Sequence, residues 1–185
     1  TAPANAMVLK IGLAVVEEVL KFLAAYWAVN RNPAFDEPVD AMIYMIAAAL
    51  GFATVENLFI AGKSFDLLRA ETFGPSAETL LLRFAGATLL HTLTAAIVGY
   101  YWARGRLVLR GVRDWLHTSF LECLTVGLLF ATVAHVLFNY LVLKFQNQNL
   151  LYPSLLLIGI AFFVIEDFER LRDSGGAGTP TPHSI

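Results

Sequence analysis

Glu17 and Glu18 stand side by side, with Lys21 one turn further on, inside a stretch that is otherwise almost wholly apolar. Further along, Glu56-Asn57, His91 and His135-Val-Leu-Phe-Asn139 interrupt three more apolar stretches. Carboxylates and imidazoles are the side chains that carry protons and hold metals, and two chemistries would use this set. In the first, one glutamate acts as general base on a water molecule, and a histidine or Asn139 stabilises the oxyanion that forms. Lys21 then keeps the other glutamate ionised. In the second, His91, His135 and a carboxylate, Glu56 or Glu18, bind a metal such as Zn2+, which acidifies its bound water. Both are hydrolytic, and no cofactor is required outright. Serine or threonine nucleophile elbows, a His-Glu-x-x-His helix and glycine-rich phosphate loops are absent from the sequence.

The stretch around Glu17-Glu18 sets the physical problem. From Ala6 to Val29 nearly every other residue is Leu, Ile, Val, Ala, Phe, Trp or Tyr. About 24 residues at ~1.5 Å rise give roughly 36 Å, enough to cross a hydrocarbon core of ~30 Å with some tilt. An ionised group at that depth costs at least ~2.5–3.5 kcal/mol, so such groups face a protein interior or a water-filled cavity. Composition agrees with a membrane setting: of 185 residues, 57% are hydrophobic and only 15% charged, against about 25% charged in soluble domains. Mean hydropathy is +0.63. A net charge of −2 argues against nucleic acid as a partner. A single cysteine, Cys123, excludes an internal disulfide framework and a cysteine zinc cluster, and reads as a small core residue.

Five apolar segments, approximately 6–29, 39–62, 79–103, 118–143 and 150–168, each read as one transmembrane helix. The fold class is therefore all-α, a polytopic helical bundle of about five spans forming one domain over 1–173. Between the second and third spans, Phe65, Leu67, Leu68 and Phe73 alternate with Lys63, Asp66, Arg69 and Glu71, which predicts a short interfacial helix ended at Gly74-Pro75. Residues 174–185 read as a disordered tail. The segment 6–29 is a poor signal peptide, too long and too charged. Asp36 and Asp40, beside Pro38, suit a cap at the start of the second helix. Trp27, Trp102 and Trp115 read as interfacial anchors.

Orientation follows from the basic residues. The first loop, third loop and C-terminal end hold Arg31, Arg104, Arg106, Arg110, Arg113, Arg170 and Arg172, against Lys10, Lys63, Arg69 and Lys144 on the opposite face. The arginine-rich loop and C-terminus are expected to be cytoplasmic. On that topology Glu17, Glu18, Glu56, His91 and His135 lie roughly 9–18 Å from the outer ends of their helices, in one layer of the outer half of the membrane. Glu17 or Glu18 with Lys21, and His135 with Asn139, are three or four residues apart and share a helix face.

The ordered set Glu17-Glu18-Val-Leu-Lys21, Phe35-Asp36-Glu37-Pro38-Val39-Asp40, Gly51-Phe52-Ala-Thr-Val-Glu56-Asn57, His91 with Gly99-Tyr100-Tyr101, and His135-Val-Leu-Phe-Asn139 resembles the PrsW family of intramembrane proteases. That family is similar to the type II CAAX prenyl-protease superfamily, with its Glu-Glu, His and His-x-x-x-Asn elements on separate helices. The resemblance implies hydrolysis of a peptide bond in a membrane-anchored protein substrate, for example an anti-sigma factor cut on its outer side, in a prokaryotic plasma membrane. It assigns Glu17, Glu18, His91, His135 and Asn139 to catalysis, with Lys21, Glu56 and Asn57 supporting. Two positions depart from the CAAX pattern: Glu56 replaces the histidine of its Phe-x-x-x-His element, and Lys21 replaces the arginine of its Glu-Glu motif, one position nearer. The family tends to have more than five helices, so further N-terminal spans are expected beyond this chain. Nothing in the sequence sets the oligomeric state.

Two other classes of function compete. Acid and histidine chains also serve proton-coupled transporters, although broken helices and repeats are not evident here. A non-catalytic scaffold would instead bind a partner's transmembrane helix through small residues such as Gly86, Ala87 and Gly99.

Overall fold

The structure, a computed structural model, describes residues 2–69, 77–109, 119–145 and 150–176. These residues form five α-helices and no strand: α1 (Ala2–Val29), α2 (Asp40–Arg69), α3 (Ala77–Leu109), α4 (Phe120–Phe145) and α5 (Leu151–Gly176). The two prolines inside helices, Pro3 and Pro153, sit in first turns, where the missing N–H would have had no intrahelical partner. At the start of α4, Ser119 and Glu122 form a reciprocal cap: the Ser119 N–H donates to Glu122 Oε2 at 2.6 Å, and the Glu122 N–H to Ser119 Oγ at 3.2 Å. Before α2, Asp40 Oδ2 accepts the backbone N–H groups of Asp36 (3.1 Å) and Glu37 (2.9 Å). That carboxylate fixes the turn entering α2, bonding N–H groups ahead of the helix rather than the first-turn N–H groups that the expected cap would accept from.

Helix α3 is the hub, packed most extensively on α2 and α4 and touching α1 and α5 as well. Small residues allow the close approach. A Cβ at Gly99 would lie 2.6 Å from the Met42 Cα, so α3 meets the α2 backbone directly there. A Cβ at Gly127 would lie 2.7 Å from Tyr101 Cβ where α4 crosses α3. Gly99 is thus used within the bundle, which removes it from the partner-binding face that a scaffold would need.

Below this crossing an aromatic layer fills the bundle. Trp102 is 1% exposed and packs edge-on against Phe22 (5.4 Å between centroids) and against Phe35 (4.9 Å). The interfacial placement expected for Trp102 is therefore corrected: the loop 30–39 folds back over the end of α3 and carries Phe35 onto it. Trp27, by contrast, is 77% exposed. Trp115 lies outside the described residues. Cys123 is buried, as expected.

Three helices have segments long and apolar enough to cross a membrane by length and composition: Asp40–Gly62, Phe120–Phe145 and Leu151–Asp173. The other two, α1 and α3, carry four of the five buried polar residues among those described, Glu18 and Lys21 on α1 and His91 and Thr94 on α3; the fifth, His135, is on α4. The short interfacial helix expected after Gly62 is not a separate element: α2 runs unbroken to Arg69, because 63–69 contains no proline or further glycine. Residues 70–76 lie outside the described part. Helix α5 also outruns its expected end, reaching Gly176, with Arg170 paired to Glu166 one turn earlier at 2.6 Å. The rest of the expected tail, 177–185, is outside the described residues.

Candidate active site

Glu17 and Glu18 are neighbours on α1 and therefore point about 100° apart around the helix. That rotation gives them different surroundings. Glu18 is 0% exposed and Lys21 1%. Lys21 Nζ lies 2.7 Å from Glu18 Oε2, an ionic contact rather than a well-angled hydrogen bond. The other Glu18 oxygen, Oε1, accepts from Thr94 Oγ1 at 3.1 Å and from His135 Nδ1 at 2.8 Å. Lys21 donates a second contact to Thr94 Oγ1 at 3.1 Å and faces His91 Nδ1 at 3.3 Å. Glu18 is thus sealed among three polar partners, Lys21, Thr94 and His135, on three helices. A buried ion pair of this kind is held by its extra hydrogen bonds, and removing one member leaves an uncompensated charge.

The protonation of both imidazoles follows from these partners. An ammonium has only donors, so His91 Nδ1 accepts from Lys21 and its Nε2–H donates to Glu56 Oε2 at 2.7 Å. A carboxylate only accepts, so His135 Nδ1–H donates to Glu18 and leaves the Nε2 lone pair free. That Nε2 lies 3.4 Å from Glu17 Oε2. The His91 and His135 rings meet edge to face at 5.1 Å, and Phe52 packs on His91 at 5.4 Å.

Glu17 is the open member of the pair, its side chain 25% exposed. Its ligand atom and those of His91 and His135 lie within 4.8 Å of one another. Two histidines and one carboxylate match the donor set of a catalytic zinc site. His135 has the second-sphere partner such a ligand uses, a carboxylate on its other ring nitrogen. The residues present therefore fit a metal provided that the Lys21 ammonium leaves His91 Nδ1, whose lone pair the ion would take while Nε2–H stays on Glu56. The carboxylate that joins the imidazoles is Glu17. Glu56 and Glu18, the two nominated from sequence, instead hydrogen-bond to one imidazole each.

Two other nominated residues stand apart. Asn57 Nδ2 donates to Thr88 Oγ1 at 3.0 Å, a bridge between α2 and α3 near the cluster. Asn139, one turn beyond His135, is exposed and lines a cleft of about 490 Å³ between α1 and α4. Sequence reasoning overlooked Thr94, whose hydroxyl touches both Glu18 and Lys21 while the residue is 0% exposed. Its one signal was a place three residues after His91, on the same helix face.

The class of protein is now defined: an all-helical, polytopic integral membrane protein whose interior gathers carboxylates and imidazoles from α1, α2, α3 and α4. A family model described as PrsW family intramembrane metalloprotease matches residues 2–165. The chain belongs to that family. It is 29% identical over 111 residues to the Protease PrsW of Geobacillus kaustophilus, covering 60% of this chain and 44% of that protein. It is 26% identical over 153 residues to the Protease PrsW of Oceanobacillus iheyensis (80% of this chain, 60% of that protein). Against the Protease PrsW of Bacillus subtilis it is 24% identical over 132 residues (71% and 52%). The chain spans about half the length of the curated relatives it matches. No solved structure matches it.

Proposed function

We propose that this chain carries the catalytic bundle of an intramembrane endopeptidase that hydrolyses a peptide bond of a membrane-anchored protein. The observation that carries the reading is the convergence of Glu17, His91 and His135, backed by a sealed Glu18–Lys21–Thr94 network. Glu17 is the carboxylate of the pair that water can reach, and it takes a proton from the attacking water. The water oxygen bonds to the substrate carbonyl carbon, and the carbonyl electrons move onto oxygen. The His91 Nε2–H lies beside the reacting group and stabilises that oxyanion, with Asn139 assisting from the adjoining cleft wall, while the His135 Nε2 lone pair accepts a hydrogen bond from the attacking water. Glu17 then returns its proton to the amide nitrogen as the C–N bond breaks, leaving one carboxyl and one amine terminus. Glu18 never leaves its partners; it holds His135 in the tautomer whose Nε2 is free.

Where a metal is resident, Glu17, His91 and His135 would hold it, and it would polarise the carbonyl and acidify water. With Glu17 so engaged, the proton-accepting role passes to Glu56, whose side chain is 36% exposed. By family resemblance the substrate is a membrane-anchored anti-sigma factor cut near the outer face, with the arginine-rich loop cytoplasmic.

The test is cleavage of a bilayer-anchored reporter by the full-length protein, with and without chelator, alongside metal analysis. His135→Ala should lower kcat by about 10²–10⁴-fold. Activity in a metal-free preparation assigns the proton to Glu17. Chelator-sensitive activity that Glu56→Gln abolishes assigns it to Glu56. Native-rate cleavage by His135→Ala, or proton-coupled flux in proteoliposomes without any cleavage, would overturn the proposal.

A further inference from the structure

The cleft beside the site has a composition of its own. Ile11 on α1 and Val136 and Leu143 on α4 supply apolar walls, Asn139 a polar floor, and Lys10 and Lys144 a pair of cations. Both lysines are exposed, and among the described residues neither has a carboxylate partner. Lys144 rests on the Tyr140 and Phe145 rings, at 5.5 and 5.7 Å, which leaves its charge unneutralised. Asn139, one turn from His135, ties the cleft to the catalytic layer. The volume, about 490 Å³, is that of a ligand-sized cleft.

Helix geometry places both cations on the same side of the reacting groups. Lys10 precedes Glu17 by seven residues on α1, and Lys144 follows His135 by nine on α4. At ~1.5 Å per residue these are axial distances of roughly 10 and 13 Å. An extended peptide advances about 3.3 Å per residue. A substrate strand running from the Glu17–His135 level along the cleft would therefore meet the two ammonium groups about three to four residues from the scissile bond.

We propose that the α1–α4 cleft is the substrate channel for one flank of the cleaved peptide, and that Lys10 and Lys144 select an acidic side chain three to four residues from the scissile bond. This rests on the endopeptidase reading above. The occupant is argued from charge: two cations without local carboxylates at the end of an apolar slot suit an extended, acidic segment. Lysines at an exposed cleft end also attract the phosphate of an anionic lipid, which makes lipid the competing occupant.

The experiment uses full-length protein in phosphatidylcholine vesicles and synthetic single-span peptides with one Asp walked along a neutral flank, cleavage sites being read by mass spectrometry. Wild type should cleave with kcat/KM roughly five- to tenfold higher when Asp lies three or four residues from the cut on the lysine side than when Lys does, the gain falling at high salt. The Lys10→Glu/Lys144→Glu variant should reverse that preference through KM, with kcat unchanged. Cleavage with the same charge preference in both proteins overturns the proposal and leaves the endopeptidase standing. A photoreactive group at Tyr140 in the Glu17→Gln protein gives the second arm. Charge-dependent capture of the Asp peptide without cleavage by the wild type supports the channel and removes the endopeptidase. Capture of phosphatidylglycerol that the Asp peptide does not displace assigns the cleft to lipid and overturns the channel.

Discussion

The same two helices, α1 and α3, build two layers of opposite character. In the upper layer Glu18 and Lys21 face His91 and Thr94, and nearly every contact is an ion pair or a hydrogen bond. Further along both helices, Phe22 (next to Lys21 on α1) faces Trp102 (about two turns past Thr94 on α3) across an apolar layer that includes Met42, Met45 and Phe35. Ala95, Ala96 and Gly99 lie between, small enough to let α2 close on α3. The difference separates two ways of fixing geometry. In the aromatic layer, position comes from packed volume, which is tolerant of charge-neutral changes of equal size. In the polar layer, position comes from directional partners, so each member is required by the next. On the proposed function, the lower layer is a platform and the upper layer holds the groups that react.

If that division holds, substitutions in the two layers leave different signatures. The largest expected effect, because it falls on both stability and activity, is Lys21→Met. It strands a buried Glu18 carboxylate and removes the donor to His91 Nδ1, which should cost about 3–5 kcal/mol and abolish cleavage. A denaturant titration in mixed micelles reads the first quantity and a reporter assay the second. The double variant Glu18→Gln/Lys21→Met should recover part of the stability and none of the activity, since His135 still loses its anionic partner. Recovery of cleavage in that double variant would break the comparison.

Trp102→Ala comes next. It should cost a similar 3–5 kcal/mol through the cavity it opens, but at a temperature where the protein is folded its kcat should stay within about twofold. A loss of kcat beyond the folded fraction would mean that the aromatic layer is coupled to the chemistry and is no mere platform.

How much of this could be read from the residues depends on what each interaction needs. Charged residues inside apolar stretches announce themselves, so Glu17, Glu18, Lys21, His91 and His135 were legible from composition and spacing alone. The number of helices was legible for the same reason, since segment length is set by bilayer thickness. Rotation was not. Glu17 and Glu18 are equivalent until α3 and α4 are placed around α1, and only then does one become sealed and the other open. Thr94 was hidden because threonine is ordinary in an apolar helix, and its role depends on the groups across from it. Trp102 was misplaced because a tryptophan near a helix end reads as interfacial until the loop carrying Phe35 folds over it. The reach of α2 past Gly62 was misjudged because charge alternation suggested a new element where the chain had no breaker. The Ser119–Glu122 cap, by contrast, was there to be read three residues apart.

The central claim is that the two adjacent glutamates do different work: Glu17 reacts and Glu18 positions. The direct measurement compares Glu17→Gln and Glu18→Gln side by side in one reconstituted system, reading unfolding free energy and single-turnover cleavage of the folded fraction. Glu17→Gln should fold within about 0.5 kcal/mol of the parent and lose cleavage by about 10²–10⁴-fold. Glu18→Gln should be destabilised by about 3–5 kcal/mol because Lys21 is left buried without its partner. A Glu17→Gln protein that cleaves at the parental rate, or a Glu18→Gln protein as stable as the parent, would contradict the account.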